Sequence, residues 1–204
     1  MLGVVRYNAA AVTSWGIQNP ESIRLDVLLI DRIAARDAGA VGELYDRHSR
    51  LLYGLILRVL RDRSEAEEVL QEVFVLVWNR VSTYNAALGS PAGWLVGIAR
   101  NRAIDRLRAN TARLRAVESA PFEVHSNDDP ERSASLGEQQ RAVLRALDAI
   151  PSEQRQLIEE AYYLGFTHSE LAERHKLPLG TVKTRIRSGL LTLREQLSQI
   201  PVEQ

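Results

Sequence analysis

From about residue 26 onward, apolar positions recur every three or four residues, the spacing of amphipathic helices, and alternation with period two is scarce. Leu28, Leu29, Ile33, Val41, Leu44 and Tyr45 open the pattern, and Leu51, Leu52, Leu55, Ile56, Val59 and Leu60 extend it. Ser64-Glu65-Ala66-Glu67 has the Ser-x-x-Glu form of a capping box and predicts the start of a third helix. Along that helix Val69, Leu70, Val73, Phe74, Leu76 and Val77 form a wide apolar sector, and Glu68, Gln71 and Glu72 form an acidic, hydrogen-bonding edge. Ser90-Pro91 predicts a fourth helix, with serine as N-cap and proline in the first helical position.

The pattern lapses from Val117 to Ser135, a stretch with two prolines, four serines and five acidic residues against a single Arg132. Such a composition reads as a solvated tether. Helical periodicity resumes from Leu136 to Leu197. The expected fold is therefore all-α: a helical domain over 26–116, a flexible acidic linker over 117–136 and a smaller helical domain over 137–204. Residues 1–25 read as a loosely ordered tail, because Gly16, Asn19 and Pro20 break any periodicity there.

Composition narrows the function classes. The 204 residues contain no cysteine, which excludes a disulfide framework, thiolate zinc sites and a cysteine nucleophile. No Gly-rich phosphate loop or nucleophile elbow occurs, so an enzyme is not expected, and neither is a cofactor. No apolar run approaches the length of a membrane helix, and a cytoplasmic protein is the expectation. His168 and His175 read as structural or surface residues rather than metal ligands, and His48 and His125 as isolated ones. Acidic and basic residues balance at 26 each, so a basic surface has to arise by segregation along the chain.

Such segregation is visible twice. Between Arg174 and Arg194 there are six basic residues and no acidic one. Just before them, Thr167-His168-Ser169-Glu170 is a second capping box, and Lys176-Leu177-Pro178 interrupts the helix it opens. A longer helix then starts around Gly180, which is a helix-turn-helix layout. At about 100° per residue, Val182, Ile186, Gly189, Leu190 and Leu193 share a core stripe. Lys183, Arg187 and Arg194 lie on another face, beside Thr184 and with Ser188 further round. Lys176 stands where many such turns carry glycine, and mid-helix Gly189, about 1 kcal/mol poorer than alanine, suggests close packing on a neighbouring helix. The second basic stretch holds Arg100, Arg102, Arg106, Arg108, Arg113 and Arg115 against Asp105, a charge suited to phosphates. Trp94 reads as a core residue on one stripe with Ile98.

These segments resemble the bacterial sigma-70 family. SEAEEVLQEVFVLVW is similar to its core-polymerase-binding helix, SPAGWLVGIARNRAIDRLR to the segment that opens and reads the minus-ten element, and the block from Leu147 to Glu195 to its minus-thirty-five reader. Two such domains and a short linker match the extracytoplasmic-function (group IV) sigma factors over roughly Asp26 to Leu197. The resemblance implies a bundle like sigma region 2 and a helix-turn-helix like sigma region 4. It implies a non-enzymatic factor that binds the clamp helices and flap of core RNA polymerase, directs it to promoters and promotes strand opening. Glu68, Gln71 and Glu72 would meet polymerase. Tyr84, Asn85, Arg100, Asn101, Arg102, Arg106 and Arg108 would serve the minus-ten element. Lys183, Thr184, Arg185, Arg187 and Ser188 would read the minus-thirty-five element, although Ser188-Gly189-Leu190 departs from the basic run of many relatives. An anti-sigma partner is expected by analogy.

Alternatives stand beside several of these. Tyr84 is either a stacking platform for a flipped base or a hydrophobic lid, and Asn85 either a base contact or a turn former. The linker is either an acidic mimic of nucleic acid or a plain tether. For the whole chain, a stand-alone helix-turn-helix regulator explains residues 167–195 equally well but not the acidic helix. A helical adaptor would leave both basic clusters without a purpose.

Overall fold

The computed structural model describes residues 20–117 and 148–198, with side chains given to 112 in the first stretch and to 196 in the second. Residues 1–19 of the expected tail, the acidic linker, His125, Arg113 and Arg115 lie outside the described side chains, whereas residues 20–25 are not tail but the start of a helix, because Pro20 occupies its first position, where a proline needs no amide partner. The described residues fall into two compact units, one running to Arg106 and one from Leu107 onward. All regular structure in them is helical.

In the N-terminal unit α1 (Pro20–Ala34) packs on α2 (Ala38–Leu60), and α2 packs on α3 (Arg63–Arg80). Short 3-10 turns at Val81–Thr83 and Ala86–Leu88 lead into α4 (Pro91–Val117). The core is built from Leu29, Ile30, Ile33, Leu44, Leu52, Ile56, Val69, Val73, Val77, Leu95 and Ala99, all buried. Tyr45 lies against Phe74 with ring centroids 4.9 Å apart. Several helix boundaries follow from local chemistry. Ser90 caps α4, its Oγ accepting from the Gly93 amide at 3.2 Å. Asp37 caps α2 through the Gly39 amide.

Three expectations change here. The cap of α3 is Asp62, whose carboxylate accepts from the Glu65 amide at 2.8 Å, and not Ser64. The helix therefore starts two residues earlier, because Arg61 takes a left-handed conformation (φ 58°) and reverses the chain at once. In α1, Leu28 is 58% exposed while Asp26 is fully buried, so the apolar spacing alone misplaces part of the inward face. His48 is not isolated: its Nε2 lies 2.9 Å from Asp26 Oδ2, and Arg47 Nε donates to Asp26 Oδ1 at 2.6 Å. A buried carboxylate needs such partners, since removal from water without them costs several kcal/mol by general estimates, about 2–7 for even a neutral polar group.

In the C-terminal unit α5 (Ser152–Tyr163) and α6 (His168–Arg174) both pack on α7 (Leu179–Ser198). Leu157, Ala161, Leu171, Val182 and Ile186 form its core, with Ile158, Phe166, Ala172, Leu177 and Leu190 packed around them. Thr167 closes the expected capping box: its Oγ1 accepts from the Glu170 amide and the Glu170 carboxylate accepts from the Thr167 amide at 2.6 Å. Lys176 occupies the left-handed region (φ 53°), the conformation that glycine commonly supplies in such a turn. Gly189 is buried, and a Cβ there would stand 2.7 Å from Ile158 Cδ1 and 3.2 Å from Gln154 Cβ. The close helix contact suggested by that glycine is between α5 and α7.

Candidate nucleic-acid interface

On α7 the buried stripe leaves a complementary outer face. Val182, Ile186, Gly189 and Leu193 are buried, while Lys183, Thr184, Arg187 and Ser188 are exposed. This is the geometry a major-groove reader requires, a rigid helix with its polar face turned outward. Arg185 differs from its neighbours. It is half-buried and its Nη1 binds the Glu153 carboxylate of α5 at 2.7 Å, so its charge is spent on holding the two helices together. His168 is half-buried, and burial followed by the charge of Lys183 pushes its imidazole below the usual value, favouring the neutral form.

In the N-terminal unit the expected minus-ten and polymerase residues are brought together. Arg102 Nε donates to Glu72 Oε2 at 2.6 Å. Arg106 bridges two carboxylates, Glu72 at 2.9 Å and Glu68 at 3.1 Å. The hydrogen bond from Arg102 holds the Glu72 carboxyl below the usual range against the upward push of burial. Hydrogen bonding to Glu68 raises Arg106 further. Gln71, on the same edge of α3, is exposed. Arg100 contacts Asn101, whose Oδ1 accepts at 3.2 Å, and Asn101 is exposed, as is Arg108, which falls in the second unit. The cationic stretch is thus partly neutralised from within, since Arg102 and Arg106 carry carboxylate partners. No sequence signal showed this, because the two partners lie on different helices.

The loop from Tyr84 to Gly89 has a defined internal structure. The Tyr84 hydroxyl donates to the Gly89 carbonyl at 3.2 Å, and its ring meets Trp94 edge-on at 5.6 Å. Burial raises the Tyr84 phenol above its ordinary value. Asn85 Oδ1 accepts from the Ala87 amide at 2.9 Å and caps the 3-10 turn. In this structure the Tyr84 ring covers Trp94, and the Asn85 side chain caps the turn while the residue stays exposed. Trp94 is half-buried and is not a core residue: the buried stripe of α4 runs through Ala92, Leu95, Ala99 and Ala103. Exposed Leu88 stands at the tip of the loop.

Among the described residues no group of three or more His, Cys, Asp or Glu side chains is placed to hold a metal ion, and no helix is long and apolar enough to cross a membrane.

Comparison with known proteins places these features in context. The description Sigma-70 region 2 matches residues 44–113, and Sigma-70, region 4 matches residues 140–193. The ECF RNA polymerase sigma factor SigK of Mycolicibacterium vanbaalenii is 38% identical over 179 residues, 85% of this chain and 89% of its own. SigK of Mycobacterium ulcerans is 40% identical over 172 residues, 83% of this chain and 91% of its own. Rhodobacter sphaeroides SigE, solved in complex with the anti-sigma ChrR, is 32% identical, with 83% of this chain and 96% of that one covered and a TM-score of 0.43.

Proposed function

This chain belongs to the extracytoplasmic-function sigma factors of the sigma-70 family, and from that premise we propose how its residues divide the work of transcription initiation. It is an alternative sigma factor that directs core RNA polymerase to its promoters. The α3 edge of Glu68, Gln71 and Glu72 docks on the polymerase clamp, whose surface should be basic to match it. The loop at Tyr84 and Asn85, together with α4 and its Arg100, Asn101, Arg102, Arg106 and Arg108, handles the minus-ten element. Residues 117–136 connect this domain to the flap-binding, minus-thirty-five-reading domain at 137–204. There Lys183, Thr184, Arg187 and Ser188 meet the base edges and phosphates of the major groove, and Arg185 supports them from the side. The factor has no catalytic role of its own and works in the cytoplasm, restrained by an anti-sigma protein.

The observation that carries this reading is one chain holding an acidic helix edge on α3 and, after it, a helix-turn-helix whose second helix exposes Lys183, Thr184, Arg187 and Ser188. The test is co-elution of the purified full chain with core RNA polymerase in size-exclusion chromatography at moderate salt. A stable complex that then initiates from members of a promoter library supports the proposal. A folded, inhibitor-free protein that elutes alone overturns it and leaves a stand-alone DNA-binding regulator.

A further inference from the structure

Glu160 is a buried carboxylate that none of the expected interfaces uses. It lies in the last turn of α5 and gathers three side chains. His175 Nε2 donates to its Oε2 at 2.9 Å, Arg174 Nε approaches the same oxygen at 3.3 Å, and Gln156 Nε2 donates to Oε1 at 3.1 Å. Its backbone carbonyl accepts from the amides of Leu164 and Phe166 at 3.1 and 3.4 Å. The Arg174 guanidinium in turn lies over the Phe166 ring, 5.3 Å from its centre. One residue therefore joins the end of α5, the turn that follows and the last residues of α6.

What comes next in the chain gives this cluster its meaning. Lys176 directly follows His175, and its φ of 53° is a backbone conformation that a side-chain-bearing residue rarely adopts. Its amide and that of Leu177 are tied back to the carbonyls of Glu173 and Ala172, and α7 begins at Leu179. The direction of α7, and so the placement of Lys183, Thr184, Arg187 and Ser188, is set within these few residues. A largely buried carboxylate held by a half-exposed arginine and histidine is a weak way to gain stability compared with apolar packing, and the best-attested use of such a charged cluster is to select one geometry. Base-edge contacts demand such selection, because they tolerate only small misplacement of the helix that carries them.

We propose that Glu160 is a positioning residue for promoter reading: by gripping Arg174 and His175 it fixes the left-handed turn at Lys176 from which the recognition helix departs. This rests on the assignment of α7 to the minus-thirty-five element, and the controls separate the two. Glu160 touches no DNA itself and acts through the turn.

The test uses holoenzyme assembled from the full chain and core polymerase, on a promoter selected by the wild type from a randomised library. The readout is the ratio of transcription from that promoter to transcription from the same promoter with its minus-thirty-five element scrambled. Loss of folded protein lowers both outputs alike, so a purely structural role leaves the ratio unmoved. Glu160→Ala should lower the ratio by about tenfold, the equivalent of one lost base-edge contact. Adding Lys176→Gly should restore it to within about twofold, since glycine adopts the turn without a clamp. A wild-type ratio in Glu160→Ala overturns the proposal, and so does a loss that Lys176→Gly fails to rescue. Arg187→Ala is the control: if it leaves the ratio unchanged, the minus-thirty-five assignment falls and this inference with it. Should Glu160→Ala not fold by circular dichroism, the isosteric Glu160→Gln carries the same two-way test.

Discussion

Arg102 and Glu72 lie 2.6 Å apart, Nε to Oε2, joining the helix expected to face DNA to the helix expected to face polymerase. Arg106 doubles the link by contacting Glu72 and Glu68 together. The two surfaces thus share one charge network, and whatever engages one changes the charge available to the other.

This sharing has a salt signature. In the free protein, Glu72→Gln should release Arg102 for phosphates, leave Arg106 with Glu68 as its one remaining carboxylate, and tighten binding to a single-stranded minus-ten oligonucleotide. Each arginine engaged adds about 0.7 to the slope of log affinity against log salt for a single strand, so the slope should steepen by about 0.7. Fluorescence anisotropy across a salt series measures it. A slope equal to that of the wild type would show that Arg102 meets no phosphate once released. The same geometry makes Glu72→Lys a poor probe of polymerase docking, since it sets a lysine against two arginines. Exposed Gln71 is the cleaner position, and Gln71→Ala should weaken polymerase retention without moving the thermal midpoint.

Asp26 should give the N-terminal unit an acid-side dependence of stability. Burial pushes its carboxyl up, but hydrogen bonds from His48 and Arg47, aided by their charges, outweigh this and leave it below the ordinary 3.8. A depressed carboxylate contributes stability that is present above 3.8 and is lost as pH falls through the lower folded value. Asp26→Asn should cost about 1–3 kcal/mol near neutrality and flatten the acid limb. Urea titrations followed by tryptophan fluorescence report on this unit, because Trp78 and Trp94 both lie within it. An unchanged acid limb in the variant would locate the pH dependence elsewhere.

Gly189 separates helix propensity from packing. An exposed mid-helix glycine replaced by alanine should gain about 1 kcal/mol. Here the added methyl would meet Ile158 Cδ1 at 2.7 Å and the stiffer Gln154 Cβ at 3.2 Å. Overpacking of this kind costs about 1–3 kcal/mol, so Gly189→Ala should be net destabilising by up to about 1–2 kcal/mol. A more stable variant in thermal melts would mean that α5 and α7 separate freely.

Arg187 and Arg185 carry the same charge two residues apart and should behave differently. Arg187 is exposed on the outer face, whereas Arg185 holds Glu153. Arg187→Ala should cost about 1–3 kcal/mol on the preferred minus-thirty-five duplex and far less on a scrambled one. Arg185→Ala should lower affinity slightly and equally on both. Equal losses for Arg187→Ala on both duplexes would reduce it to a phosphate contact.

The sequence by itself determined the features whose causes are local. A capping box spans four residues, so the one at Thr167 and Glu170 was legible, as was the Ser90 cap. A helical stripe repeats every three to four residues, so the buried Val182, Ile186 and Leu193 and the outward Lys183, Thr184, Arg187 and Ser188 followed from spacing alone. Gly189 even announced a close neighbour, though not which one. Tertiary structure decided the partners of charges. Glu72 and Arg102 are 30 residues apart, and Asp26 and His48 are 22 apart. Charged side chains show no periodicity that encodes such distant pairing; it follows from how the helices cross. For the same reason one arginine of a basic helix is exposed while the next is spent on a neighbour, and a histidine that looked isolated in the chain is buried against an aspartate.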